Sequence, residues 1–208
     1  MSIADNIKTI RATLPPSVTL VNVSKFQPIE AIQEAYDCGE RDFGESRVQE
    51  LIAKHEALPK DIRWHFIGHL QTNKVKYIVP FVHLIQSVDS WHLLEVINAE
   101  AAKVGRVIDV LLEVHVAKEE TKTGFVLSDL SAFPPPRLSA LPNIRLVGFM
   151  AMATNTNDET EIRRCFREVK SLAASAVLSI GMSDDYLIAI EEGSTMVRIG
   201  SRIFGERK

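Results

Sequence analysis

Apolar, β-branched runs alternate along the chain with segments whose apolar residues recur every three or four positions. The runs are Val18–Ser24, Arg41–Gly44, Ile62–Gly68, Val82–Gln86, Val107–Val116, Ile144–Ala151, Val177–Met182 and Met196–Gly200. Between them, Ile29, Ile32 and Tyr36 form one helical stripe, and Val48, Leu51 and Ile52 a second. Leu93, Val96 and Ile97 form a third, and Ile162, Phe166, Val169 and Ala173 a fourth. Spacing of this kind predicts strands alternating with amphipathic helices. Ile3, Ile7, Ile10 and Leu14 predict one more helix ahead of the first strand. Pro28 opens a helix, and Ser90 and Asn157 or Asp158 are N-cap residues by type. The least regular unit is Phe125–Leu141, where Pro134-Pro135-Pro136 breaks any helix. It is expected to hold a short helix, a turn and a surface loop.

Eight strand candidates alternating with helices suit an α/β fold of the (β/α)8 TIM-barrel type, with the first helix as an addition. An open doubly wound sheet is the alternative. The first strand-to-helix turn, Ser24-Lys25-Phe26-Gln27, has no Gly-x-Gly-x-x-Gly, which argues against a dinucleotide fold. In a barrel, catalytic groups sit at the C-terminal ends of strands, and phosphate is held after strands seven and eight. Ser183 and Gly200–Ser201 occupy those two places here.

The 208 residues read as one domain spanning 1–208, with no repeat, low-complexity tract or linker to divide it. Apolar residues at 46% and charged residues at 25% are ordinary for a globular chain. A net charge of −3 offers nothing to nucleic acid or to an anionic membrane. Cys38 and Cys165 each fall in a predicted helix without metal-ligand spacing, so no metal site and no disulfide is expected. The first fourteen residues carry Asp5, Lys8 and Arg11 and lack the apolar stretch of an export signal or anchor. These features predict a cytoplasmic protein. A barrel with its helices outside needs no partner to complete its core, so a monomer is expected.

The candidate chemistry lies at the ends of the first, seventh and eighth strands. Gly181-Met182-Ser183 and Gly200-Ser201 follow short apolar runs, where small residues let the main chain approach an anion. Arg198 lies within the last run, and Lys25 ends the first. Each alone is commonplace: a strand-end lysine is usually solvated, and a strand arginine usually pairs with a carboxylate. Their convergence on one barrel face matters more. An amine, a guanidinium and a phosphate cradle together are the inventory of a pyridoxal 5'-phosphate (PLP) site.

Several signatures then carry a resemblance. They are Val-Ser-Lys-x-x-Pro at Val23–Pro28, Phe-Gly-Glu-Ser-Arg-Val-Gln-Glu at Phe43–Glu50, Trp64–Lys74, Ser87–Ser90, Lys122–Phe125, Gly148–Ala151 and the C-terminal stretch to Arg207. In this order, and from about Val18 onward, the chain resembles the PLP homeostasis protein family (YggS/PROSC). The resemblance implies the fold type III barrel of alanine racemase without that enzyme's second β domain. It implies that Lys25 forms the Schiff base with PLP, that Arg198 faces the pyridine nitrogen, and that Ser183, Gly200 and Ser201 hold the phosphate. His65 and Met182 are secondary candidates for the pocket wall, the alternatives being a hydrogen-bonded core histidine on the third strand and a core-filling methionine. PLP-dependent apoenzymes become candidate partners.

The chain departs from the family pattern at Ser46, where Asn is usual, and at Ser201, where Thr is common. Phe149 and Ile180 replace Leu and Met inside the barrel. The implied function is intracellular PLP homeostasis and amino-acid balance without appreciable catalysis. A PLP-dependent racemase or lyase is the rival reading, and a barrel binding another phosphorylated metabolite a third. An arginine at the ring nitrogen keeps that nitrogen unprotonated and the cofactor a poor electron sink. A racemase of this fold offsets that with a tyrosine from a second domain. Here Tyr36, Tyr77 and Tyr186 all fall in predicted helical segments, and no second domain is expected after Lys208.

Overall fold

The computed structural model describes residues 2–119, 123–130, 136–172 and 176–205. A helix, α1 (Ile3–Arg11), precedes β1 (Thr19–Val23). Then follow α2 (Ile29–Asp37), β2 (Asp42–Glu45), α3 (Val48–Ala57), β3 (Arg63–Phe66), α4 (Val75–Ile78) and β4 (Leu84–Val88). The second half comprises α5 (Trp91–Lys103), β5 (Ile108–Val114), β6 (Ile144–Ala151), α6 (Glu159–Lys170), β7 (Val177–Ser179), α7 (Tyr186–Glu191), β8 (Met196–Ile199) and α8 (Ser201–Phe204). The eight strands close into one parallel barrel in sequence order, β8 returning to β1 with Val21 opposite Arg198 and Asn22 opposite Ile199. The (β/α)8 expectation holds, and the open sheet is excluded.

Local chemistry explains the helix starts. Ser2 caps α1 reciprocally with Asp5, Ser90 accepts from the Leu93 amide at the start of α5, and Asp158 accepts from the Thr160 amide at the start of α6. Pro28 stands one place before α2 in extended conformation, where a ring with no N–H to offer is tolerated. Ile7 and Ile10 bury the inner face of α1, and Asn6 Nδ2 donates to the Ile203 carbonyl at 2.9 Å, tying the added helix to α8.

Some boundaries differ from the expectation. β7 stops at Ser179, three residues short, because Gly181 has a φ of 93° and turns the chain out of the sheet. β4 is displaced toward Val88, with a register shift against β5. Cys38 lies just past the last turn of α2, whereas Cys165 is buried within α6. The expected short helix in Phe125–Leu141 is two 3₁₀ turns, Leu127–Leu130 and Pro136–Ala140. Pro134, Pro135, Ala173, Lys122, Glu206 and Arg207 lie outside the described residues.

Among the described residues two apolar clusters form. The large one fills the layer between barrel and helices, with Trp64, Phe43, Phe66 and Phe166 among its largest members. The small one comprises Val21, Leu84, Leu111, Met150 and Met196, the strand positions that point to the barrel axis. Alternation places Glu113 on that same inward face, two residues beyond Leu111. Burial, reinforced by Asp89, pushes the Glu113 carboxyl up to about 7 against the pull of Arg198.

Two consequences can be measured. At Gly148 on β6 an added Cβ would run into the backbone carbonyl of Val177 on β7. Gly148→Ala should therefore lower stability by about 3 kcal/mol, the upper part of the overpacking range. Urea unfolding checks this, and a loss below about 1 kcal/mol would mean the strands part easily. Glu113 keeps its proton in the folded chain between roughly pH 4.3 and 7, while the unfolded chain has lost it. Stability therefore falls as pH rises through that window and levels off above it. Glu113→Gln should be more stable than the native chain by roughly 1–3 kcal/mol at pH 8, the gap closing toward pH 4.

Candidate functional site

The mouth of the barrel is built by the turns after β1, β7 and β8. After β7, Gly181 packs so closely on α7 that an added Cβ would come 2.5 Å from Ala189 Cβ. Asp185 Oδ1 accepts from the Met182 amide at 2.6 Å and stiffens the turn that presents Met182, Ser183 and Asp184. Burial pushes the Asp185 carboxyl up, and the Met182 amide and Arg198 oppose it. After β8, Gly200 leads into α8, and its amide donates to Ser183 Oγ at 3.4 Å, joining the two turns.

Arg198 points inward from β8 and is 4% exposed. Its Nη1 donates to the Ser179 carbonyl at 2.6 Å and to Ser179 Oγ at 2.8 Å, and its Nη2 donates to the Ala151 carbonyl at 3.1 Å. Burial lowers its pKa to about 10, with Asp185 and Glu113 holding it up. It stays charged at neutral pH and acts only as a donor.

Lys25 stands two residues beyond β1, half-buried, and both its neighbours are clamped. Lys54 Nζ, buried on α3, donates to the Ser24 carbonyl at 2.8 Å and to Glu45 Oε1 at 2.8 Å, and Ser24 Oγ donates to the same carboxylate at 2.6 Å. On the other side Glu50 Oε2 accepts from the Phe26 amide at 3.0 Å. Phe26 has a φ of 65°, a left-handed conformation that costs about 1–3 kcal/mol without glycine. The clamp holds that strain. Burial pushes the Glu45 carboxyl up against Lys54 and Ser24, and Glu45 Oε2 has no hydrogen-bond partner among the described residues.

These turns enclose a cavity of about 290 Å³ lined by Lys25, Met182, Ser183, Arg198, Gly200 and Ser201, along with Val23, Gln27, Ser46, Ile67, Met152, Asp184 and Gly205. The expected amine, guanidinium and hydroxyl residues thus share one space. Met182 is at the rim, 39% exposed. His65 is not on the cavity wall: it sits one layer deeper on β3, bonded to Asp42 and Gln86. Ser46, the departure from the family pattern, does line the cavity. No tyrosine lines it, and the three tyrosines stand on α2, α4 and α7. Sequence reasoning missed the clamp of Glu45, Glu50 and Lys54 and the polar interior residues Gln86 and Ser179. Strand parity is the signal that could have found the latter, since Gln86 lies two residues from Leu84 and Ser179 two residues from Val177 on inward faces.

The family model for the alanine racemase N-terminal domain matches residues 1–208. The pyridoxal phosphate homeostasis protein of Aquifex aeolicus is 44% identical over 199 residues, 91% of this chain and 87% of that one. Its namesake in Escherichia coli K12 is 35% identical over 208 residues, 93% of this chain and 87% of that one. The structure of PipY from Synechococcus elongatus without PLP superposes with a TM-score of 0.92 at 38% identity, covering 98% of this chain and 100% of that chain. PipY with PLP bound gives 0.89 over the same shares. Alanine racemase from E. faecalis, at 15% identity, shares the fold with a TM-score of 0.80 over 99% of this chain and 58% of that one. On sequence and architecture alike, the chain belongs to the pyridoxal phosphate homeostasis protein family.

Proposed function

We propose that this chain captures PLP reversibly in the cavity at its barrel mouth, on Lys25, and serves PLP homeostasis without net amino-acid turnover. The observation that carries this reading is the meeting of Lys25, Arg198, Ser183, Gly200 and Ser201 around one cavity. PLP brings an aldehyde that condenses reversibly with a primary amine, a ring nitrogen and a phosphate. The donor set fits each part. Lys25 is the amine, Arg198 a permanent donor for an unprotonated ring nitrogen, and Ser183 and Ser201 are hydroxyls beside a glycine turn. Ser201 and Arg202 open α8, and the first N–H groups of a helix have no intrahelical acceptor, which suits these two to a phosphate oxygen.

The case against turnover rests on what surrounds Lys25. Inverting an amino acid at Cα needs an acid/base group on each face of that carbon, within about 3 Å or one water. Lys25 supplies one, and no tyrosine stands on the described cavity wall to supply the other. A ring nitrogen held by Arg198 stays unprotonated, so little carbanion stabilisation makes up for the missing base.

Protein loaded with PLP and reduced with borohydride should carry a pyridoxyl group on the peptide containing Lys25, and Lys25→Ala should be colourless. Label found chiefly on Lys74, Lys76 or Lys122 would overturn the assignment. The same loaded protein, incubated with single L-amino acids, should yield no D-isomer above background. Sustained formation of the D-isomer would make it a racemase.

Lys54→Met leaves the buried Glu45 without its cation and should cost about 3–5 kcal/mol in unfolding free energy. It should also weaken PLP capture, because Ser24 loses one of its holds. Adding Glu45→Gln removes the unpaired carboxylate and should restore much of the stability while capture stays weak. Capture that recovers fully along with stability would show the clamp to be structural only.

A further inference from the structure

Beneath the cavity an unbroken line of hydrogen bonds crosses the barrel interior. Arg198 Nη1 donates to Ser179 Oγ at 2.8 Å, and that hydroxyl donates to Gln86 Oε1 at 2.6 Å. Gln86 Nε2 lies 2.9 Å from His65 Nδ1, and His65 Nε2 lies 3.0 Å from Asp42 Oδ1. Arg63 Nε and Nη2 donate to the two oxygens of Asp42 at 2.8 and 2.5 Å and anchor the far end. Five strands contribute, β8, β7, β4, β3 and β2, and each of the five relay residues from Arg198 to Asp42 is buried.

The two ends set the direction. A guanidinium only donates, and an ionised carboxylate only accepts. Burial would raise the Asp42 carboxyl, but hydrogen bonds from Arg63 and His65 outweigh it and hold it well below the usual carboxylate range. Asp42 is therefore an acceptor, and His65 must donate to it from Nε2. Gln86 presents its Nε2, which only donates, to His65 Nδ1, and its carbonyl oxygen accepts from Ser179. Ser179 accordingly accepts from Arg198 and donates to Gln86, with no orientation left free. His83 approaches His65 edge-on, with ring centroids 5.5 Å apart, and completes an Asp-His-His cluster. Arg63 already occupies both oxygens of Asp42, so the cluster is better explained as the anchor of this line than as a cation site.

We propose that Ser179, Gln86 and His65 are positioning residues for Arg198, and that this relay makes the cavity selective for a ligand whose ring bears an unprotonated nitrogen acceptor. The relay occupies Nη1 with Ser179 and sets the plane of the guanidinium, so that its remaining protons keep a fixed aim in the cavity Arg198 lines. None of the three relay residues lines the cavity, so each acts on a ligand through Arg198. The inference rests on the reading that Arg198 meets the ring nitrogen of PLP.

The experiment compares PLP with 1-deaza-PLP, which keeps the aldehyde and phosphate but has carbon in place of the ring nitrogen. Binding of both is measured to the native chain, Gln86→Leu and Ser179→Ala. The native chain should prefer PLP by roughly tenfold or more, the effect of one charge-assisted hydrogen bond. Each variant should reduce that preference to within about threefold, while a general loss of structure would weaken both ligands alike. Variants that keep the native preference would overturn the relay. A native chain that binds both ligands equally would overturn the ring-nitrogen role of Arg198 and this inference with it, leaving capture on Lys25 standing on its own labelling result. Should neither variant fold, ¹⁵N NMR of the native chain decides through the tautomer of His65. The proton belongs on Nε2, and finding it on Nδ1 would refute the direction of the line.

Discussion

The parallel pairing of β1 with β8 is the constraint on which the site depends. Lys25 and Arg198 are far apart in sequence, yet the register that puts Val21 opposite Arg198 brings Val23 beside Gly200 and so sets Lys25 at the edge of the last turns. An added Cβ at Gly200 would stand 3.1 Å from the Val23 carbonyl, so the two main chains approach without a side chain between them. Shifting β1 by one residue would turn Val21 and Val23 out of the barrel and Asn22 and Ser24 into it. Asn22 prevents this: its amide donates to Glu40 and to the Asp42 carbonyl outside the barrel, bonds it could not keep on the inner face. The α1 helix reinforces the closure through Asn6 and the Ile203 carbonyl.

Closing the barrel buries Arg198, and a buried charge is tolerable only when its protons are satisfied. That requirement explains why the small interior is polar on one side. Leu84, Leu111, Met150 and Met196 fill the axis apolarly, while Ser179, Gln86 and His65 thread between them from β7, β4 and β3. Replacing any one of the three with an apolar residue leaves a neighbour's donor or acceptor stranded, which costs more than the lost bond itself. The polar line therefore behaves as a unit.

Much of this was legible in the sequence because barrel strands have short, β-branched runs and their helices a regular stripe. All eight strands and the major helices fall where the pattern places them, and errors occur at ends. The seventh run extends past β7 because Leu178 and Ile180 look alike in sequence, and only the left-handed φ of Gly181 shows where the strand stops. That Lys25, Ser183, Arg198, Gly200 and Ser201 meet around one cavity was legible because strand ends in a barrel point to one mouth. The resemblance makes His65 a candidate for the wall, whereas its hydrogen bonds to Asp42 and Gln86 are those of a buried strand histidine, the other reading its sequence position allows. The clamp around Lys25 was invisible, since Lys54 on a helix next to His55 and Glu56 reads as an ordinary solvated residue. Its burial follows from the contact of α3 with the β1–α2 turn, which no local pattern encodes.

The clamp and the open rim make opposite demands on Lys25, and the proposed carrier role needs both. Ser24 and Phe26 are held so firmly that Phe26 keeps a strained backbone, and this fixes the base of the lysine stem. Beyond the clamp the cover is partial: Lys25 itself is only half-buried, and Met182 at the cavity rim is 39% exposed. Enzymes that run carbanion chemistry on such a cofactor exclude water, because desolvation strengthens the fields they rely on and protects reactive species. A protein that must also give its cargo back needs water at the same bond, since hydrolysis is the reverse of capture. A fixed amine beneath an accessible rim satisfies the second requirement better than the first. In the proposed mode of capture the polar line under Arg198 would act in the same sense, because a ring nitrogen held as an acceptor binds the ligand without drawing electrons through it.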